Sequence, residues 1–168
     1  MNILFSMTLS LVMVLSVSNP HGTRGTAISA SEVDPNGKVT IYFERVSCPT
    51  GCPAFLITVR PDGSVEYEGK EFARVRGKRT YKISAESYQA IVKAVRKAKV
   101  EQLASEYKAV PRRDAGTIIL RVSWDGKTKK IIHFLPSPDA PEALGELEDA
   151  IVKNAYPSEG RAAYSTSN

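Results

Sequence analysis

Ser47-Cys48-Pro49-Thr50-Gly51-Cys52-Pro53 holds both cysteines of the chain, and thiol chemistry is the first chemistry its residue types suggest. In an oxidising compartment, two cysteines this close most simply form a disulfide. Closing the five-residue loop would contribute about 2 kcal/mol by restricting the unfolded chain. The alternative is a redox pair. Oxidoreductases place two residues between the cysteines and set the first at a helix N-terminus, whose dipole lowers the thiol pKa. Here three residues intervene and strand-like sequence follows Pro53. A structural staple is therefore the preferred reading, with thiol–disulfide exchange through Cys48 and Cys52 as its competitor. Zinc would need more ligands than Cys48, Cys52 and His133 supply. No metal and no cofactor are expected.

A second group of candidates is electrostatic. Lys70, Arg74, Arg76, Lys78, Arg79 and Lys82 form the densest basic segment. On a strand, Arg74, Arg76 and Lys78 would project to one face, where they could meet an anionic polymer or an acidic protein. The plainer reading is a solvated sheet edge on which charge blocks unwanted pairing. No aromatic series is interleaved with these residues as single-strand nucleic-acid binding would require, so no specific nucleic acid is expected. His133, between Ile132 and Phe134, reads as a surface or hydrogen-bonded strand residue rather than a catalyst. Ser123, His133 and Asp114 could compose a triad, but no nucleophile elbow singles out a serine. No constellation here identifies a reaction, and the chain reads as a non-enzymatic binding or envelope-associated module.

The elements that would position these residues follow from periodicity. Lys38–Val46, Ala54–Arg60 and Ser64–Glu68 alternate like strands, and Pro61-Asp62-Gly63 turns the second into the third. Phe72–Lys82 reads as a more polar fourth strand with a bend at Gly77. Ser84 is placed to cap a helix whose stripe is Tyr88, Ile91, Val92, Val95 and Ala98. Residues 103–107 look irregular. Thr117–Trp124 and Lys129–Leu135 form a hairpin about Asp125-Gly126, and a second helix spans Pro141–Ala155. The expected fold is α+β: a mainly antiparallel sheet of about six strands, in the order four strands, helix, two strands, helix, with both helices on one face. The first helix is basic (Lys93, Arg96, Lys97) and the second acidic (Glu142, Glu146, Glu148, Asp149), which favours their pairing if they are neighbours.

Across 168 residues, 42% hydrophobic and 24% charged side chains with 8% aromatics exclude a collagen, a disordered tail and a multi-pass membrane protein. Ile3 to Val17 is an apolar run shorter than the roughly twenty residues of a spanning helix. With the small residues that follow, it reads as a signal peptide over residues 1–18, cleaved between 18 and 30. Residues 19–37 are expected to be a flexible leader, 38–156 a single domain and 157–168 a disordered tail. Localisation would be periplasmic or secreted, with membrane attachment only if the first segment stays uncleaved. Residues 1–30 carry Arg24 as their one charge, so nearly all of the net +5 belongs to the remainder.

The series Phe43-Glu44-Arg45, Cys48-Pro49-Thr50-Gly51-Cys52-Pro53-Ala54-Phe55, Thr58-Val59, Asp62-Gly63-Ser64-Val65, Tyr67-Glu68-Gly69 and Gly77-Lys78-Arg79, followed by Ile83-Ser84, Leu103, Tyr107 and Asp114, resembles an uncharacterised bacterial family, the domain of unknown function 6438. The resemblance covers about residues 38–155. It implies an exported bacterial protein of similar fold and brings no reaction or site residues.

Overall fold

A computed structural model describes residues 38–110 and 116–161. The expected signal peptide, the leader, Asp114 and residues 162–168 lie outside them. Elements follow the order β1 (Val39–Val46), β2 (Phe55–Val59), β3 (Ser64–Gly69), β4 (Gly77–Lys82), α1 (Ala85–Lys97), β5 (Glu106–Tyr107), β6 (Gly116–Trp124), β7 (Lys127–Leu135), α2 (Glu142–Ala155) and α3 (Ser158–Arg161). The class is α+β. The sheet is mixed, with seven strands in the order β4-β3-β2-β1-β6-β7-β5. Two of its features depart from expectation: β5 adds a strand, paired parallel to β7, and α3 adds a helix where a tail was expected to begin.

Local chemistry accounts for most of the elements. Alternation in β1 and β2 buries Val39, Ile41, Phe43, Phe55, Ile57 and Val59 on one face. The Ser84 side chain accepts from the Ser87 N–H at 3.1 Å, capping α1. Asp125 and Gly126 take φ of 46° and 73°, the paired left-handed geometry that matches a two-residue turn to the twist of β6 and β7. The helices cover the buried sheet face. Tyr88 of α1 places its hydroxyl against both backbone groups of Val39, at 3.0 Å and 2.9 Å, and Tyr156 at the end of α2 packs edge-on against Phe55 and Tyr67. The helices are neighbours, and Lys97 donates to Glu146 at 2.7 Å, an exposed pair worth under about 1 kcal/mol.

Among the described residues no helix covers the opposite sheet face. Register aligns Glu68, Leu56, Glu44, Ile119 and Ile132 in one row across it, and Glu66, Thr58, Tyr42, Arg121 and Lys130 in the next.

The expected fourth strand starts late. Residues 70–76 form a turn-rich loop and β4 begins only at Gly77, with φ 81°. Ala73 and Val75 are buried while Arg74 and Arg76 are exposed, so the alternation that suggested a strand is real but belongs to a loop folded over the sheet. Arg74 and Arg76 therefore do not share a strand face with Lys78.

Candidate functional site

The structure joins Cys48 to Cys52 in the connection between β1 and β2, and brings this loop against residues 70–76. Lys70 N–H donates to the Ala54 carbonyl at 2.9 Å, and Ala54 N–H to the Glu71 carbonyl at 2.8 Å. Gly51, at φ 91°, lies under the Phe72 ring: a Cβ there would stand 3.6 Å from it. The disulfide loop and the start of the basic segment, separate in sequence, are thus in contact through Lys70, Glu71 and Phe72.

Phe72 is the side chain that meets the disulfide loop. It is 55% exposed and has φ 57°, a left-handed conformation that costs a bulky residue roughly 1–2 kcal/mol. Arg74, Arg76, Lys78 and Arg79, later in the segment, are exposed. Lys70 reaches to the helix-free sheet face, where its Nζ donates to Glu44 at 3.2 Å. The Tyr42 hydroxyl donates to the other Glu44 oxygen at 2.7 Å, and the Arg121 guanidinium sits 4.4 Å over the Tyr42 ring. Burial alone would raise the Glu44 carboxyl, but the bonds from Tyr42 and Lys70 hold it below its ordinary range. The Tyr42 phenol is pushed up by burial and by giving its hydrogen to Glu44.

Within the bridge the two cysteines differ in access, Cys52 being partly exposed. Cys48 is 5% exposed, its sulfur accepts the Cys52 N–H at 3.1 Å, and the chain passes through a turn into β2 with no helix N-terminus to stabilise a thiolate. A Cys48→Ala, Cys52→Ala double variant is expected to lose about 2 kcal/mol of stability, measured as a lower urea midpoint. An unchanged midpoint would remove the staple reading.

His133 is not at the surface: it is buried in β7 and hydrogen-bonded to a side chain of α2, a partner that escaped the sequence reading. Its Nδ1 lies 2.8 Å from Glu148 Oε1, with the two residues 5% and 6% exposed. The Tyr107 ring meets the imidazole edge-on. Burial raises the Glu148 carboxyl above its ordinary range, and His133 opposes the rise. A signal was present: Leu144, Leu147, Glu148, Ile151 and Val152 fall on one helical stripe, so Glu148 occupies a core position. The pair is enclosed by core side chains and ties α2 to β7. Ser123 instead meets Thr128 at 2.9 Å. Among the described residues no group of three or more His, Cys, Asp or Glu could hold a metal, and no helix is long and apolar enough to cross a membrane.

Against known proteins, the family described as Domain of unknown function (DUF6438) matches residues 39–155. No curated protein matches the chain.

Proposed function

The chain belongs to the DUF6438 family, and from that premise we propose that it is an exported, non-enzymatic binding module that engages an anionic polymer or an acidic protein through residues 70–79. The observation that carries this reading is Phe72. Ala73 and Val75 are buried, yet Phe72 stays about half exposed on a left-handed backbone. Leaving about half of such a side chain exposed forgoes roughly 1 kcal/mol of burial. Strain and exposure at one residue, propped by a crosslinked loop, are what a preorganised binding anchor needs. Arg74 and Arg76 follow Phe72 in the same loop, both exposed, and arginine is among the residues enriched in binding hot spots. Export would supply the oxidising compartment in which the Cys48–Cys52 bridge persists.

The test is retention on immobilised heparin and on polyglutamate across a salt gradient. Arg74→Ala with Arg76→Ala is expected to elute at markedly lower salt on at least one of these. Phe72→Asn, which tolerates the left-handed backbone, should weaken retention about tenfold, as loss of a hot-spot anchor does, while keeping stability within about 0.5 kcal/mol of the parent. Salt-independent retention, or a Phe72→Asn variant that binds like the parent, would remove the proposal.

A further inference from the structure

β4 ends the sheet, and register determines which of its backbone groups reach the open edge. Ile83 N–H donates to the Gly63 carbonyl at 3.0 Å, and Tyr81, Arg79 and Gly77 face Val65, Tyr67 and Gly69 in the same alternating set. The odd-numbered residues therefore bond β3. Antiparallel alternation turns the N–H and C=O of Lys78, Thr80 and Lys82 outward. Arg79 Nη1 donates to the Lys78 carbonyl at 2.9 Å. Among the described residues no strand lies beyond β4, which leaves Thr80 and Lys82 as a short template with outward donors and acceptors.

Beside this edge, on the helix side, is a cavity of about 520 Å3. β4 forms one wall, and the start of α1 and the end of α2 with α3 form the others. Tyr81, Ile83 and Pro157 give it an apolar patch, and Glu159 is its one acidic lining residue. Tyr81 is fixed there by its hydroxyl, which donates to the Ala155 carbonyl. Charge sets the chemistry of an occupant. β4 carries Lys78, Arg79 and Lys82 and no acid. Lys82 lies 3.5 Å from Asp62, but both are well exposed, so that pair is weak and exchangeable.

We infer that β4 receives an extended acidic segment of another protein as an added strand. Main-chain bonds to Thr80 and Lys82 supply the pairing, and alternate side chains supply the selectivity. Carboxylates stand opposite Lys78 and Lys82 on the helix-free side, and an apolar side chain opposite Tyr81 enters the cavity, where Glu159 excludes an acid. A second copy of β4 is a poor occupant, because it would set Lys78, Arg79 and Lys82 against their own kind. The inference deepens the anion-binding reading above and rests on it for the sign of the partner's charge.

The experiment uses the whole mature protein and a fluorescein-labelled peptide with the core Glu-Val-Thr-Val-Glu, beside the same peptide N-methylated at its threonine. Charge is identical in the two, but the second lacks the donor that pairing with β4 requires. Anisotropy titration is expected to show the methylated peptide binding at least about tenfold more weakly, the equivalent of one lost hydrogen bond. The parent peptide should also slow amide exchange at Thr80 and Lys82. Thr80→Pro keeps the β3 ladder, since the Thr80 N–H points away from it, and is expected to lose binding with its circular dichroism unchanged. Absence of binding, equal binding of the two peptides, unchanged exchange, or full binding by Thr80→Pro would each overturn the inference. So would protection of Thr80 and Lys82 without peptide in a protein of dimeric mass, which would identify a second copy as the occupant. Heparin or polyglutamate retention that depends on Arg74 and Arg76 would survive any of these. Loss of that retention with peptide pairing intact would remove only the role of the 70–76 loop.

Discussion

Gly69→Ala is expected to destabilise the protein by about 3 kcal/mol or more, because overpacking and a lost buried hydrogen bond add at the same point. A Cβ on Gly69 would stand 1.7 Å from the Val75 carbonyl oxygen and 2.7 Å from the Tyr67 hydroxyl. That hydroxyl donates to the same carbonyl at 2.6 Å and lies 3.2 Å from the Tyr156 hydroxyl. The loop 70–76 thus crosses β3 at a point where only a glycine fits, and neither backbone is the far end of a flexible side chain. Relief requires lifting Val75 and Ala73 out of the core, with Phe72, Arg74 and Arg76 displaced as well. Urea denaturation followed by Trp124 fluorescence measures the loss. Gly145→Ala is the control: its Cβ meets nothing within 4 Å, and in the interior of α2 alanine should stabilise by about 0.5–1 kcal/mol. A Gly69→Ala protein within about 1 kcal/mol of the parent would mean that the loop is not anchored by this crossing.

The buried pair is expected to give the second large effect, and one that depends on pH. Glu148→Ala leaves the His133 Nδ1 without its partner inside the core and should cost about 3 kcal/mol. Glu148→Gln keeps a group that can donate to or accept from the imidazole, and isolates the charge. Burial is the main cause of the raised Glu148 carboxyl, Asp149 adds to it, and His133 and Arg45 oppose it. A raised carboxyl means that the folded state holds this proton more tightly than the unfolded state does. Its stabilising contribution is complete below the ordinary glutamate value, about 4.3, and is lost as pH rises through the folded value. Stability of Glu148→Gln minus that of the parent should therefore grow upward from about pH 4, by at most about 1.4 kcal/mol per pH unit. Chemical unfolding at a series of pH values reads the difference directly. A difference that shrinks as pH rises would show that His133 and Arg45 outweigh burial.

What could be seen in the sequence is what short-range chemistry decides. Pro61-Asp62-Gly63, Asp125-Gly126 and Ser84 each impose a local geometry, and the elements they bound lie within a few residues of expectation. β5 was not visible because a two-residue strand has no period of its own. Glu106 and Tyr107 are extended because β7 is there to pair with them. Residues 72–76 misled for the opposite reason, since Ala73 and Val75 alternate with Arg74 and Arg76 as a strand would. Only the crossing over Gly69 shows that a loop is burying them. α3 is held from a distance too: a Cβ at Gly160 would come within 2.9 Å of Val75. The basic residues and the cysteines were identifiable by type, but the meeting of the two segments depends on the contacts of Lys70 and Glu71 with Ala54. Glu148 was legible as a carboxylate in an apolar stripe and was passed over as part of an acidic helix surface.

The central position of β1 has a consequence for how the chain reaches this state. One edge of β1 pairs with β2, close by in sequence, and the other pairs with β6, which sets Val39 opposite Trp124 and Val46 opposite Thr117. As the chain folds, the first four strands can form a meander from local pairings, but the second edge of β1 stays open until β6 joins it. Closing so long a loop makes assembly of the sheet slow relative to helical proteins of this size. Through that interval an apolar strand edge is available to any other chain. The period before β6 pairs is when the chain is most open to aggregation.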